Sequence, residues 1–394
     1  MKKVILITSL LFLFVSCLKE PDYHSYKVDM MVDFGADFPQ GQKAGAKVTL
    51  INQLKSYAYN AETDKDGKVQ FSSLEPGFYS VTISHTFSTG NKKHYYNGQK
   101  NIDILDNKTE TVEARESLFG AFVIKEIYYS GSTTLAGKPY SGDQYLEIFN
   151  NTSEIQYADG ISVLEHDSYA TGDNIWKNIE DSIVVKLIWT VPGNGKEVPV
   201  LPGKSIVLAR DGINHRDDPN GNPQSPVNLG NADFEFFVFK EKIEDIDSPG
   251  VANLIEDFFV IRTNDIAFHV RGGSALAIAR LPGNTSVERK EYINKNLVSI
   301  AVVSGSKTNY YAKIANEHVI DAVEVTWDEA HAIYKRFPPE LDAGYTYVAS
   351  GSGSGKCIRR KIKEIRDGRV IYQDTNNSTE DFLKDVDPRP KIYE

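Results

Sequence analysis

Glu165, Asp167 and Glu180 place three carboxylates close to Trp176 in one stretch of the chain. Two acids set across a glycosidic bond can serve as acid and base or nucleophile, and an indole beside them can stack on a sugar ring. The separation of such acids is a property of three dimensions and stays open at this stage; ordinary packing aromatics and surface acids are the preferred reading. A second group is His215 with Asp211, Asp217 and Asp218, running into Pro219-Asn220-Gly221-Asn222-Pro223. Its oxygens suit calcium, yet Pro and Asn-Gly are turn chemistry. The stretch Asp211–Asn222 is therefore read as a solvated loop, with calcium left open. The other histidines, His24, His85, His94, His166, His269, His318 and His331, show no zinc-binding spacing. Gly203-Lys204-Ser205 has the ending of a phosphate loop, but Val198 stands where its first glycine belongs and the triplet opens a strand. In Gly351-Ser352-Gly353-Ser354-Gly355 a glycine holds the nucleophile's place, which leaves a loop. Asp64 and Asp66 face Lys68 at the fifth position of a would-be calcium loop and read instead as a hairpin turn. Arg359-Arg360-Lys361 with Lys363 reads as a solvated strand face. No catalytic, metal-binding or cofactor-binding residue is assigned, and the chain is read as a non-enzyme.

The chain has two cysteines, Cys17 and Cys357. Cys357 sits among strand-like residues without a histidine or asparagine placed to activate it, so it reads as a buried structural thiol. Cys17 has a different setting. Lys2 and Lys3 precede an apolar run, Val4 to Val15, that ends in Phe14-Val15-Ser16-Cys17. That run is short of the ~20 residues a spanning helix needs and reads as a signal peptide over residues 1–16. Its removal takes Lys2 and Lys3 with it and moves the formal charge from −10 to −12. An acidic surface argues against nucleic acid, which requires clustered Lys and Arg, and offers no polybasic attraction to anionic headgroups.

The elements that must position these residues are strands. Val28–Val32 and Ala46–Ile51 alternate with period two, and an Asp-Gly turn and a Leu74-Glu75-Pro76-Gly77 turn feed further strands. Abundant Tyr and Phe, with Gly and Pro scattered throughout, fit the same class. The chain is expected to be all-β, with two tandem β-sandwiches: residues 17–26 a tether, 27–116 a first domain, and 118–390 a second, opening on a strand near Gly120. Glu147 is expected to face away from Leu146 and Ile148. Long inserts near 165–198, holding Trp176 and Trp189, and near 213–317, with strands at Phe234–Phe239 and Ala275–Ala279, are expected to form an added layer or lobe that carries specificity. One helix is expected at Thr326–Arg336, capped by Thr326 with Glu329 and ended by Pro338-Pro339.

The residues also carry resemblances. The run ending in Ser16-Cys17 resembles a bacterial lipoprotein signal, which implies cleavage before Cys17 and lipidation (palmitate among the acyl chains) of that residue. The Asp-Gly and Pro-Gly turns followed by Phe78-Tyr79 resemble the prealbumin-like regulatory domains of carboxypeptidases. Ile124-Lys125-Glu126-Ile127, Glu147-Ile148-Phe149-Asn150-Asn151, the strand ending Leu208-Ala209, and the Asp374-Thr375-Asn376-Asn377-Ser378 ending resemble the lamin-tail, immunoglobulin-like fold. In this order they resemble a family of Bacteroidota surface lipoproteins. The resemblance implies a lipid-anchored protein of the outer membrane, exposed at the cell surface, acting as a non-catalytic binding or accessory module. Its implied partners are the membrane through the Cys17 lipid, an outer-membrane nutrient transporter, and a glycan or peptide ligand. A surface hydrolase acting on glycans and a structural or adhesive surface protein are the alternatives.

Overall fold

In the computed structural model, the described residues are 25–394, except 37, 56, 90–91, 117–119, 169, 239–244, 246, 261–267 and 302–307. The signal segment, Cys17 and most of the tether lie outside them. Among the described residues no helix is long and apolar enough to cross a membrane. The protein is all-β, built as tandem β-sandwiches.

The first sandwich packs a three-stranded sheet on a five-stranded one. Strand β1 (Tyr26–Asp33) is followed by β2 (Lys47–Asn52), β3 (Ala58–Glu62), β4 (Lys68–Leu74), β5 (Gly77–Thr89), β6 (Lys92–Ile104), β7 (Lys108–Glu113) and the short β8 (Arg115–Glu116). Their orders are β4-β1-β7 and β3-β2-β5-β6-β8. The alternation read from sequence sends Val28, Met30 and Val32 of β1 and Val48 and Leu50 of β2 into one core with Phe71, Val81 and Ile83. The Asp64–Lys68 stretch is the expected turn: Asp64 Oδ1 accepts from the amides of Asp66 and Lys68, both at 2.9 Å, and Gly67 adopts φ +79°.

The second sandwich has two larger sheets. One runs, in spatial order, through Ala252–Asn253, Phe234–Glu235, Ser205–Ala209, Tyr145–Asn150, Phe122–Tyr128, Cys357–Arg360 and Phe382–Val386. The other runs through Leu297–Ala301, Thr308–Ala315, Ser182–Thr190, Ile161–His166, Leu276–Arg280 and Val319–Val323, with Ile255–Phe259 also paired to Ser182–Thr190. Ile124, Leu146, Ile148, Val163, Trp189 and Ile278 meet between the sheets.

The inserts are therefore not an added lobe. Ser182–Thr190 and Leu276–Arg280 are inner strands of the second sheet, and Phe234–Glu235 extends the first. The apolar runs of Ser182–Thr190 and Leu276–Arg280 are covered on both faces, one by the sandwich core and the other by a satellite cluster that includes Ile293, Phe337 and Leu341. The Phe234–Phe239 strand is shorter than expected, closing at Glu235, while the Ala275–Ala279 strand is shifted one residue, to Leu276–Arg280.

The expected Thr326–Arg336 helix is a single 3-10 turn, Glu329–Ile333. Asp328, not Thr326, is its cap: its side chain accepts from the His331 amide, while the Thr326 hydroxyl is spent on the Asp328 carbonyl at 3.1 Å. The capping box expected at Thr326 is found instead on the longer helix, α1 (Ser286–Lys295), with Thr285 and Glu288 as the reciprocal pair. Its sequence has no apolar stripe, which is why periodicity passes over it.

The basic run at 359–363 is solvated only in part: Lys363 is exposed and Lys361 half-buried, and Arg360 departs from the expectation. Arg360 is buried and holds Asp321 at 2.5 Å, Asp374 at 3.1 Å and Asp381 at 3.5 Å, with its Nε donating to the Ile124 carbonyl at 2.8 Å. This cluster ties both sheets to the C-terminal segment.

Candidate functional site

A cleft of about 600 Å³ opens between the two sandwiches. One wall is the outer face of β6, β7 and β8, with Asn97, Gln99, Lys100, Glu113 and Arg115. The other is built by the loop before Ser182–Thr190, which carries Trp176 and Glu180, and by the segment Lys335–Glu340. The walls are joined by polar contacts. Asn97 Nδ2 donates to the Thr375 carbonyl at 2.7 Å, Asn101 Nδ2 to the Ile333 carbonyl at 3.0 Å, and Lys47 Nζ lies 3.2 Å from Glu380 Oε1.

The floor is rigid. Arg336 is buried, with Nε 2.6 Å from Glu324 Oε1, and the Arg336 and Phe337 amides donate to Glu324 Oε2 at 2.8 and 3.0 Å. Burial alone would raise the Glu324 carboxyl; Arg336, Lys335 and these amides bring it below the usual range. His166 is buried against the edge of Phe337, ring centroids 5.9 Å apart, and burial together with the Arg336 charge pushes its imidazole down to about 3. It is a neutral packing residue.

Trp176 is the half-buried aromatic of the cleft, whereas Phe337 and His166 are buried beneath it. Its amide donates to Asn174 Oδ1 at 2.9 Å, its Nε1 to Asp167 Oδ2 at 2.9 Å, and its ring lies 5.5 Å from Tyr311. The indole is therefore pinned by its polar edge while remaining half-buried. Trp189, from the same sequence stretch, has no such role: it is buried in the core, edge-on to Phe236.

The acids singled out in the sequence separate here. Glu165 is buried, 2.8 Å from Lys186 Nζ, and accepts from the Ser274 hydroxyl at 2.6 Å. Asp167 is occupied by the Trp176 indole. Of the three only Glu180 lines the cleft, where Glu340, from far along the chain, and Glu113, from the first sandwich, join it. Burial pushes the Glu340 carboxyl up; the neighbouring Glu180 adds to this, while Asn316, whose Nδ2 donates at 3.2 Å, and Arg115 oppose it. No sequence spacing links Glu340 or Arg115 to Trp176.

The remaining candidates are accounted for by local structure. His215 is buried between Tyr140, whose hydroxyl lies 2.8 Å from Nδ1, and the Asp211 carbonyl, 3.1 Å from Nε2. Asp217 accepts from Asn214 Nδ2 at 2.6 Å and Asp218 from the Asn220 amide at 2.8 Å, both within the loop's own turns. Among the described residues no three His, Cys, Asp or Glu side chains gather as a metal-holding group. Gly203 forms the tight turn into Ser205–Ala209, and Gly353 and Gly355 donate to the carbonyls of Ser130 and Gly131 at 2.7 and 2.9 Å. Cys357 is buried and unpaired, and burial pushes its thiol up.

Residues 201–389 match the model of a family described as a protein of unknown function, DUF4876. The chain is also similar to a crystal structure of a DUF4876 family protein from Bacteroides thetaiotaomicron. The likeness covers 92% of this chain and 96% of that one, at 29% identity and a TM-score of 0.59. It is in keeping with the Bacteroidota resemblance read from the motifs. No curated protein matches the chain.

Proposed function

We propose that the protein is an outer-membrane lipoprotein, anchored through lipid on Cys17 and exposed at the cell surface, that binds an extended ligand without transforming it. In this reading the prealbumin-like first sandwich is a spacer, and the lamin-tail-like second one presents the ligand to a partner such as an outer-membrane transporter. The observation that carries the binding role is the cleft shared by the two sandwiches, with the pinned, half-buried Trp176 set among amides, cations and carboxylates. An aromatic face with polar groups around it matches a sugar ring, which is apolar on its faces and hydroxylated at its rim. A peptide with a planar side chain is the alternative ligand.

Calorimetric titration of the purified chain with a panel of surface oligosaccharides and peptides tests the binding role. Binding that Trp176→Ala abolishes supports it, and the absence of binding across the panel counts against it. Palmitate labelling that Cys17→Ser removes tests the anchor, and co-purification of a transporter tests the partner.

One observation favours a second reading, a glycan hydrolase. Glu180 and Glu340 share the cleft, and the raised Glu340 carboxyl is the kind of group that donates a proton. Release of reducing ends that Glu340→Gln eliminates would establish that reading over the first.

A further inference from the structure

One end of the first sandwich gathers large apolar side chains at its strand ends and turns. Leu54 is 80% exposed, Leu105 67%, Phe78 60% and Tyr57 55%. Strand register puts them together. The Gln53 amide donates to the Phe78 carbonyl at 3.0 Å, the Asn52 amide to the Tyr57 carbonyl at 2.9 Å, and Phe78 pairs with Asp103, two residues before Leu105. Such a gathering on an exposed tip marks a contact surface.

The chain enters the fold at this same end. Tyr26 pairs with Leu74, just before the turn into Gly77, and Val28 pairs with Lys108, just after Leu105. Strands β1 and β7 then run parallel away from the tip, and from the far end of β7 the chain continues to the second sandwich. Cys17 precedes Tyr26 by nine residues, a span of at most about 30 Å when fully extended. A lipid on Cys17 therefore attaches the chain at this tip and not at the opposite end.

Charge does not explain the tip. Lys27 is 3.1 Å from Asp29, Lys108 is 2.8 Å from Glu110, and Lys55 pairs with Glu75, so its cations are matched by acids. We infer that the tip is a membrane-contacting face, with Leu54, Phe78 and Leu105 entering the interfacial zone of the leaflet that holds the lipid. Tyr57 sits at headgroup level. The inference rests on the lipidation of Cys17 proposed above.

The test uses the full, lipidated chain anchored in phosphatidylethanolamine–phosphatidylglycerol vesicles with brominated acyl chains. A polarity-sensitive dye is placed at Leu54→Cys or, at the opposite end of the sandwich, at the exposed Asp66→Cys; Cys357 is buried and does not compete. The expected result is a blue shift and severalfold stronger quenching at position 54 than at 66, unchanged when phosphatidylglycerol is omitted. Phe78→Asp with Leu105→Asp should remove the shift while the protein still floats with vesicles and keeps its thermal midpoint. Equal quenching at both positions in protein that floats overturns the contact face and leaves the anchor standing. Protein that fails to float overturns the anchor and the inference with it. A dye at 54 shielded without vesicles, together with a concentration-dependent dimer, assigns the face to a second copy and overturns the inference.

Discussion

Lys125 Nζ lies 2.8 Å from Glu147 Oε2, and neither side chain is exposed. The pair depends on a bulge. Glu147 is registered with Glu126 and Ile148 with Ile124, so Lys125 is the extra residue of its strand. The bulge keeps Ile124 and Ile127 in the core while Lys125 and Glu126 both reach the outer face of the sheet. There the C-terminal segment covers them: the Arg389 amide donates to Glu126 at 2.7 Å, the Lys391 amide to Glu147 at 3.1 Å, and Lys125 donates to the Arg389 carbonyl at 3.2 Å. Glu147 does face away from Leu146 and Ile148, as alternation requires, but the far side is polypeptide and not water.

Removing one member of this pair leaves the other buried and unmatched. Glu147→Leu alone is expected to cost about 3–5 kcal/mol in chemical denaturation, whereas Lys125→Met combined with Glu147→Leu should cost much less. A double variant as unstable as the single one would mean that packing of the C-terminal segment, not charge, sets the penalty.

The Arg360 cluster should behave differently, because its donors form a planar fork. Arg360 reaches Ile124 and Gln373 carbonyls as well as its acids, and a lysine ammonium cannot replace that geometry. Arg360→Lys, which keeps the charge, is therefore expected to destabilise by about 2 kcal/mol or more in the same denaturation measurement, against an expectation near zero if only charge mattered.

These two clusters mark the limit of what sequence makes legible. Period-two alternation in Val28–Val32 and Ala46–Ile51 was enough to read strands, because each has one buried face. Ser182–Thr190 is covered on both faces, so its pattern could not say that it is an inner strand and not part of a lobe. Arg360 looks like its neighbours Arg359 and Lys361 until Asp321, Asp374 and Asp381 converge from three other segments. The helix α1 carries a readable signal, Thr285 with Glu288, but no apolar stripe to accompany it. In the cleft, Trp176 and Glu180 are legible as a pair; Glu340 joins them through the folding of the second sandwich itself, and Arg115 only through the docking of the first.

His166 and His215 predict acid sensitivity with a definite sign. Burial pushes His166 down to about 3 and His215 down to about 4. In the unfolded chain each titrates near 6.5, so below that pH the unfolded state binds more protons and stability falls as pH falls. The loss should begin below about 6.5 and continue to about 4 for His215 and about 3 for His166, at up to about 1.4 kcal/mol per pH unit for each. His166→Phe and His215→Asn should each flatten the profile of denaturation midpoint against pH across that window. Parallel wild-type and variant profiles would contradict the assignment.

The cleft itself depends on how firmly its two walls are joined, and Asn97 is the buried member of that joint. Its Nδ2 donates to the Thr375 carbonyl at 2.7 Å, and the strand beside it is fixed by Gly98, where a Cβ would lie 2.1 Å from the Glu113 carbonyl oxygen. Asn97→Ala leaves the Thr375 carbonyl without this donor, a cost of about 1–3 kcal/mol. Because that bond spans the two sandwiches, the loss should fall on their docking more than on either core. Small-angle scattering is expected to show a larger radius of gyration for Asn97→Ala, with circular dichroism unchanged. Adding Lys47→Ala, which removes the ion pair to Glu380, should enlarge it further. An unchanged scattering profile in the double variant would mean that the remaining contacts, Asn101 to the Ile333 carbonyl among them, suffice to hold the two walls together.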